Sequence, residues 1–357
     1  MKTFDENVST MMARLSLPSG QQQARSRWGT HASGEAFDRK KSVYLTEQAR
    51  SFIVQQSQCV IAGLDDQNEP GGLLVLDMPG FVQAPDGQTC LLRIDSQFRT
   101  SRILQGLLCS SRHEQHEHMA RLGLFFISHP TRERLCVQGV AELVPGELFD
   151  FGYSSHIHDM MLVRLYVQRS FFHCPKYIKT RIPGLTIAAD ISSEEREQLR
   201  HQLDSSQNSS AYLSEAMETF IAQQTLSFLC TVDHEGQCAV NHRGGAAGFL
   251  VTLPPDASSP GGTILLPDYA GNGAFEANGN ILETGRAALL IPHYAAQVAL
   301  CVSGSARILE MRDLTRELAQ RCPGANRVIA LSVQRVEVQK GNWSLPLDDE
   351  CSRAARL

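Results

Sequence analysis

The 357-residue chain lacks the short motifs that mark the commonest nucleotide and hydrolytic sites. No Gly-Lys-Ser/Thr phosphate loop and no Gly-x-Ser-x-Gly elbow occurs, which removes P-loop NTPases and α/β-hydrolases from consideration. Its ten cysteines include no Cys-x-x-Cys pair. That excludes a paired-cysteine zinc cage or dithiol motif, and most of them sit in apolar runs that read as reduced core thiols. A basic excess is also missing, with 33 Lys and Arg against 38 Asp and Glu and a formal charge of -5. Nucleic-acid binders concentrate positive charge, so a nucleic-acid partner is not expected. No run approaches the roughly 18 apolar residues that cross a bilayer, and Met1-Lys2-Thr3-Phe4-Asp5-Glu6 has no apolar signal core. The expectation is a soluble, cytoplasmic protein with no membrane role, acting on a small molecule. The run His113-Glu114-Gln115-His116-Glu117-His118 places Glu at the position where a zinc-protease helix needs its second histidine, so no metal is expected. Gly271-Asn272-Gly273 opens like a dinucleotide fingerprint, but Glu276 stands where its third glycine belongs.

What is present is an internal repeat. Phe52-Ile53-Val54-Gln55-Gln56 returns 168 positions later as Phe220-Ile221-Ala222-Gln223-Gln224. Three more echoes follow in the same order: Pro79-Gly80-Phe81 with Ala247-Gly248-Phe249, Leu135-Cys136-Val137-Gln138-Gly139 with Leu300-Cys301-Val302-Ser303-Gly304, and Val167-Gln168-Arg169 with Val333-Gln334-Arg335. Collinear matches at nearly constant spacing mean a duplicated domain. The chain divides into an N-terminal arm (1–43), a first copy (44–190), a polar linker (191–211), a second copy (212–347) and a tail (348–357).

Both copies follow one grammar. An amphipathic helix (Thr46 to Gln56; Ser214 to Gln224) leads into a strand (Cys59 to Leu64; Ser227 to Val232) that ends in Asp65-Asp66-Gln67-Asn68 or Asp233-His234-Glu235-Gly236. Asp, Asn and Gly tolerate the backbone of a tight reversal, so these are hairpin turns. Further short strands follow at Leu73 to Leu76, Thr89 to Ile94, Gly123 to Ile127, Arg134 to Leu143 and Met161 to Phe172. Short strands with turn signals and one helix predict a mainly β fold, a small barrel in each copy. The linker opens with a capped polar helix from Ile191 to Arg200, and the arm is expected to fold only where it packs on the barrels.

The copies differ where chemistry is expected. In the second, Asn241-His242-Arg243-Gly244-Gly245 sets a planar, permanently charged fork beside small residues whose backbone a ligand can approach. One strand later come Pro267-Asp268-Tyr269-Ala270-Gly271-Asn272 and Gly279-Asn280, whose amides can both donate and accept. The first copy has Leu73-Leu74-Val75-Leu76 and Ile94-Asp95 instead. A feature needed only for the barrel would be expected in both.

These segments resemble the pyridoxamine 5′-phosphate oxidase-like, FMN-binding split-barrel proteins in their two-barrel form. That form has an Asn-Cys-Pro-Lys-Tyr-Ile end to its first barrel, similar to His173-Cys174-Pro175-Lys176-Tyr177-Ile178. Its Ser-His-Arg-Gly-Gly strand is similar to Asn241 to Gly245, its Pro-Asp-Tyr-x-Gly-Asn…Gly-Asn loop to Pro267 to Asn280, and its Leu-Pro-Leu close to Leu345-Pro346-Leu347. The resemblance implies two tandem split barrels forming an intrachain pseudo-dimer, with FMN where they meet. It implies a flavin site of Asn241, His242, Arg243, Gly244, Asp268, Tyr269, Asn272 and Asn280, with Lys176 and Tyr177 reaching across from the first copy. The expected activity is that of an FMN-dependent oxidoreductase, the flavin exchanging hydride with NAD(P)H or a small substrate and oxygen as an acceptor. Two alternatives stand beside it: a non-catalytic flavin-binding scaffold, and a haem-binding split barrel using one of the twelve histidines. The chain would act as a monomeric pseudo-dimer or as a homodimer.

Overall fold

The computed structural model describes residues 19–110, 119–144, 160–187, 191–204, 209–271 and 273–341. The His113 to His118 run, Asn272 and Leu345 to Leu347 lie outside them. Two short helices open the described chain, α1 (Ser19–Trp28) and α2 (His31–Asp38), followed by α3 (Glu47–Val54), whose Thr46 hydroxyl caps the Ala49 amide. The first sheet consists of β1 (Gln58–Leu64), β2 (Pro70–Leu76), β3 (Val82–Gln83), β4 (Thr89–Asp95), β5 (Ala120–Ser128), β6 (Glu133–Val144) and β7 (Met160–His173), with helix α4 (Arg102–Ser110) after β4. The sequence reading had no helix at α4.

The linker forms α5 (Ser193–Asp204), closed at its start by reciprocal bonds between Ser192 and Glu195. A short β8 (Ser209–Ser210) precedes α6 (Glu215–Gln223), capped by Ser214 as α3 is by Thr46. The second sheet then runs β9 (Leu226–Val232), β10 (Cys238–Gly244), β11 (Val251–Leu253), β12 (Thr263–Asp268), β13 (Arg286–His293), β14 (Val298–Glu310) and β15 (Arg327–Lys340), with α7 (Glu276–Thr284) after β12 and α8 (Arg316–Arg321) before β15.

Strand order is β2-β1-β5-β6-β7-β4-β3 in one sheet and β10-β9-β13-β14-β15-β12-β11 in the other, strand for strand the same path. The molecule is mainly β: two tandem split barrels. Repeated motifs explain repeated details. The Asp65 carboxylate accepts from the Gln67 and Glu69 amides, and Asp233 from Glu235 and Gln237, closing both hairpins in the same way. Gly139 and Gly304 each sit at a register shift, where a Cβ would lie 2.0 Å from a carbonyl oxygen of the next strand (Tyr166, Ser332). Only glycine lets the strand bulge there.

β1 and β9 are buried on both faces, which is why they read as continuous apolar runs. Alternate residues Cys59 and Ile61 fill the first barrel, while Val60 and Ala62 pack with Phe228, Cys230 and Leu290 in a core shared by both barrels. Phe125 and Phe228 meet edge to face across that junction, 5.8 Å between centroids, worth about 0.5–1.5 kcal/mol beyond burial. The junction is therefore a fused hydrophobic core, and it fixes what each barrel presents to the other.

Candidate functional site

At one end of the junction lies a cleft of about 120 Å³. Residues 241–244 of β10, then Pro267 to Tyr269, Gly271, Gly273 and Ala274, and Phe275 to Asn278 line it from the second barrel; Arg134, His173, Cys174, Lys176 and Tyr177 line it from the first. The segment after β7 reaches across: Tyr177 donates its hydroxyl to the Ala270 carbonyl at 3.1 Å, and its ring lies 5.6 Å from that of Tyr269 at 33°. Tyr177 adopts φ 64° to do so, and a Cβ on Gly244 would lie 2.8 Å from its carbonyl oxygen. Glycine at 244 is thus required for the close approach of the two barrels.

Most predicted residues converge here, with two adjustments. Arg243 is not a free fork, because its Nη1 is bound by Asp268 at 2.5 Å. The same carboxylate takes Arg327 at 3.4 Å and the Asn278 amide at 3.1 Å. Asn280 does not line the cleft; it turns inward and donates to Thr231 Oγ1 at 3.1 Å. Two positions apart on a helix is about 200° of rotation, so Asn278 and Asn280 face opposite ways. Asn278 is the amide on the cleft.

Several polar atoms here are buried without a hydrogen-bond partner: Asn241 Oδ1, His242 Nδ1, Arg243 Nε and Arg134 Nε. Buried polar groups left in this way cost free energy unless a ligand or water completes them. Burial, reinforced by Arg134, His129 and Arg243, holds the His242 pKa well below its ordinary value. His173, enclosed by the rings of Phe37, Phe125 and Phe171, is pushed down to about 3 by burial and by Arg134. Its Nε2 is 3.1 Å from Cys136 Sγ. Burial raises the Cys136 thiol well above its ordinary range, so the pair is a neutral imidazole and a neutral thiol, not an activated nucleophile.

The arm completes the wall. Gln21 and Arg25 donate to the Ala274 carbonyl at 3.2 and 3.3 Å, and Lys41 pairs with Glu276 at 2.9 Å. Trp28, Phe275 and the Arg327 guanidinium cluster together: the two rings are 4.9 Å apart, and the guanidinium is 4.1 Å from the Trp28 ring and 4.9 Å from that of Phe275. Phe275 sits in the left-handed region, φ 54°, at the start of α7. The sequence reading missed Arg134, Glu276 and Asn278; it expected the arm to fold against the barrels but gave it no place at the cleft.

A sequence profile of pyridoxamine 5′-phosphate oxidase matches residues 213–340, the whole run from α6 through β15. The match covers the second barrel, which is similar to the pyridoxamine 5′-phosphate oxidase family. No curated protein matches it. Among solved structures it is similar to HupZ of Group A Streptococcus, with 16% identity over 35% of this chain and 91% of that one, TM-score 0.27. It is also similar to HutZ of Vibrio cholerae, described as a heme storage protein, with 20% identity over 36% and 95%, TM-score 0.24. A putative pyridoxamine 5′-phosphate oxidase of Lactobacillus delbrueckii shows 14% identity over 37% and 98%, TM-score 0.27. Here the cleft lies between two barrels of a single polypeptide, so each wall can change independently.

Proposed function

We propose that the chain binds FMN in the cleft between its barrels and acts as a flavin-dependent oxidoreductase on a small molecule, with a nicotinamide or oxygen as redox partner. The observation that carries this reading is the set of buried, unpartnered atoms of Asn241, His242 and Arg243 beside the paired rings of Tyr177 and Tyr269. Together they offer an acceptor, an imidazole nitrogen and a cationic donor next to aromatic surface, which suits a flat heterocycle with a polar edge and an anionic tail. Asn241, His242 and the Asn278 amide would meet the polar edge. Arg243 and Lys176 would face the charged end, and the tyrosines would cover the ring. Asp268 holds Arg243 in place; Lys41 neutralises Glu276 so that it does not repel an anion. Bound FMN would supply hydride exchange, and the protein's part is position, electrostatics and exclusion of water.

The absorption spectrum of the purified protein, before and after adding FMN, tests this. Flavin bands, and loss of at least about 100-fold in FMN affinity in Arg243→Ala with the fold retained, are the expected result. A Soret band instead would favour haem, and a colourless protein that rejects FMN would overturn the proposal. Oxidation of reduced nicotinamide by the flavin-loaded protein separates an enzyme from a carrier.

A further inference from the structure

One guanidinium at the cleft has no counter-charge among the described residues. Asp268 serves both Arg243 and Arg327, and Glu276, Lys41, Asp38 and Arg25 form a chain of alternating charge with contacts of 2.9, 3.0 and 2.6 Å. Arg134, on β6 of the first barrel, is only 8% exposed and makes no ion pair among the described residues. Its Nη2 donates to the Cys174 carbonyl, and its Nε has no partner. Burial draws its pKa down, and the nearby Arg243 adds to that. A buried charge without an opposite charge is costly, and an anionic ligand is the usual remedy.

We propose that Arg134 is an oxyanion-binding residue of the cleft, taking a phosphate group of the bound ligand from the first-barrel side. The assignment deepens the flavin reading and rests on it only for the identity of the ligand. A guanidinium fork matches a phosphate in two parallel bonds, and Arg134 and Arg243 would then approach one anion from different barrels. The second barrel's own cation is already shared with Asp268, so the first barrel supplies the uncompensated charge. This gives the first copy a binding role although its own strand-and-loop apparatus is apolar.

The test uses the full chain with Arg134→Gln, which can keep the bond to Cys174, and Arg134→Met as a second variant should the first fail to fold. Inorganic phosphate is expected to raise the melting temperature of the wild type and not of the variants. The ligand-free variants are expected to melt at or above the wild type, because an uncompensated buried charge is gone. FMN affinity should fall about 10- to 100-fold while riboflavin, which lacks the phosphate, binds unchanged; that result places the flavin phosphate on Arg134. Loss of the phosphate response with unchanged FMN affinity supports the site and assigns its anion to a substrate. A wild type that responds to phosphate but rejects FMN sinks the flavin reading and leaves this one standing. A full phosphate response in the variants, or a ligand-free protein that melts well below the wild type, would overturn it.

Discussion

The duplication builds two related clefts, one at each end of the barrel junction, and their charges are arranged differently. The second, about 510 Å³, is formed by Gln97 to Arg102 of the first barrel with Glu337 to Lys340 and Asp204. There Arg102 pairs with Asp65 at 2.7 Å, Lys340 with Asp204, and Glu337 accepts from the Arg102 backbone and Gln339. Gln339 reaches into the other barrel, donating to the Gly72 carbonyl at 2.7 Å. Matching strand positions show the substitutions that made the difference. Val75 lies opposite Cys59 as Arg243 lies opposite Ser227, so Leu73, Leu74 and Val75 occupy the places of Asn241, His242 and Arg243. Likewise Ala299 faces Gln339 where Arg134 faces His173. In the larger cleft both cations, Arg102 and Lys340, are paired internally, although Arg102 Nη2 and Asp204 Oδ1 lack hydrogen-bond partners there as well. A guanidinium without a counter-charge among the described residues, not size, sets the candidate binding site apart.

The strongest way to break this contrast is to give the second barrel the first barrel's strand. Asn241→Leu, His242→Leu and Arg243→Val together should lower FMN affinity at least about 1,000-fold, since three polar contacts are removed. Asp268 keeps Arg327, so a near-native melting curve is expected; retained FMN binding by fluorescence quenching would end the asymmetry argument. A smaller effect is expected with acid. His242 and His173 are held neutral in the fold, so the unfolded chain takes up more protons as pH falls below about 6.5, and stability declines toward the folded pKa, about 3 for His173. Each such group contributes up to about 1.4 kcal/mol per pH unit in that window. Melting curves from pH 7.5 to 5 should show a shallower decline in the triple variant, which lacks His242; an equal slope would remove His242 from the account. The smallest effect is expected at the other cleft. Lys340→Ala breaks a partly exposed pair and should cost under about 1 kcal/mol with no change in FMN affinity. A loss of flavin there would mean that both clefts bind.

The repeat, the strands and the capped helices were legible because each rests on local chemistry: an Asp that closes its own hairpin, a Ser or Thr that caps its own helix, a glycine that permits a bulge. The cluster at 241–244 was legible because a polar, glycine-rich strand stands against an apolar counterpart in the same chain. Arg134 was not, since nothing near it in sequence distinguishes it from an exposed strand-end arginine. Its burial depends on β6 pairing with β7 and on β10 of the other barrel closing over them. The role of Asn278 over Asn280 hung on the rotation of α7, set by Phe275 and the arm packed against it.

The candidate site expected from the second copy is thus walled by both barrels. Sequence by itself determined the two barrels and the strand that carries Asn241 to Gly244, because turns, caps and alternation act over a few residues. Only the tertiary structure decided that Arg243 is already paired, that Arg134 is not, and that the first barrel and the arm supply the remaining walls. Charge balance is a property of neighbours in space, and here those neighbours come from both barrels and the arm.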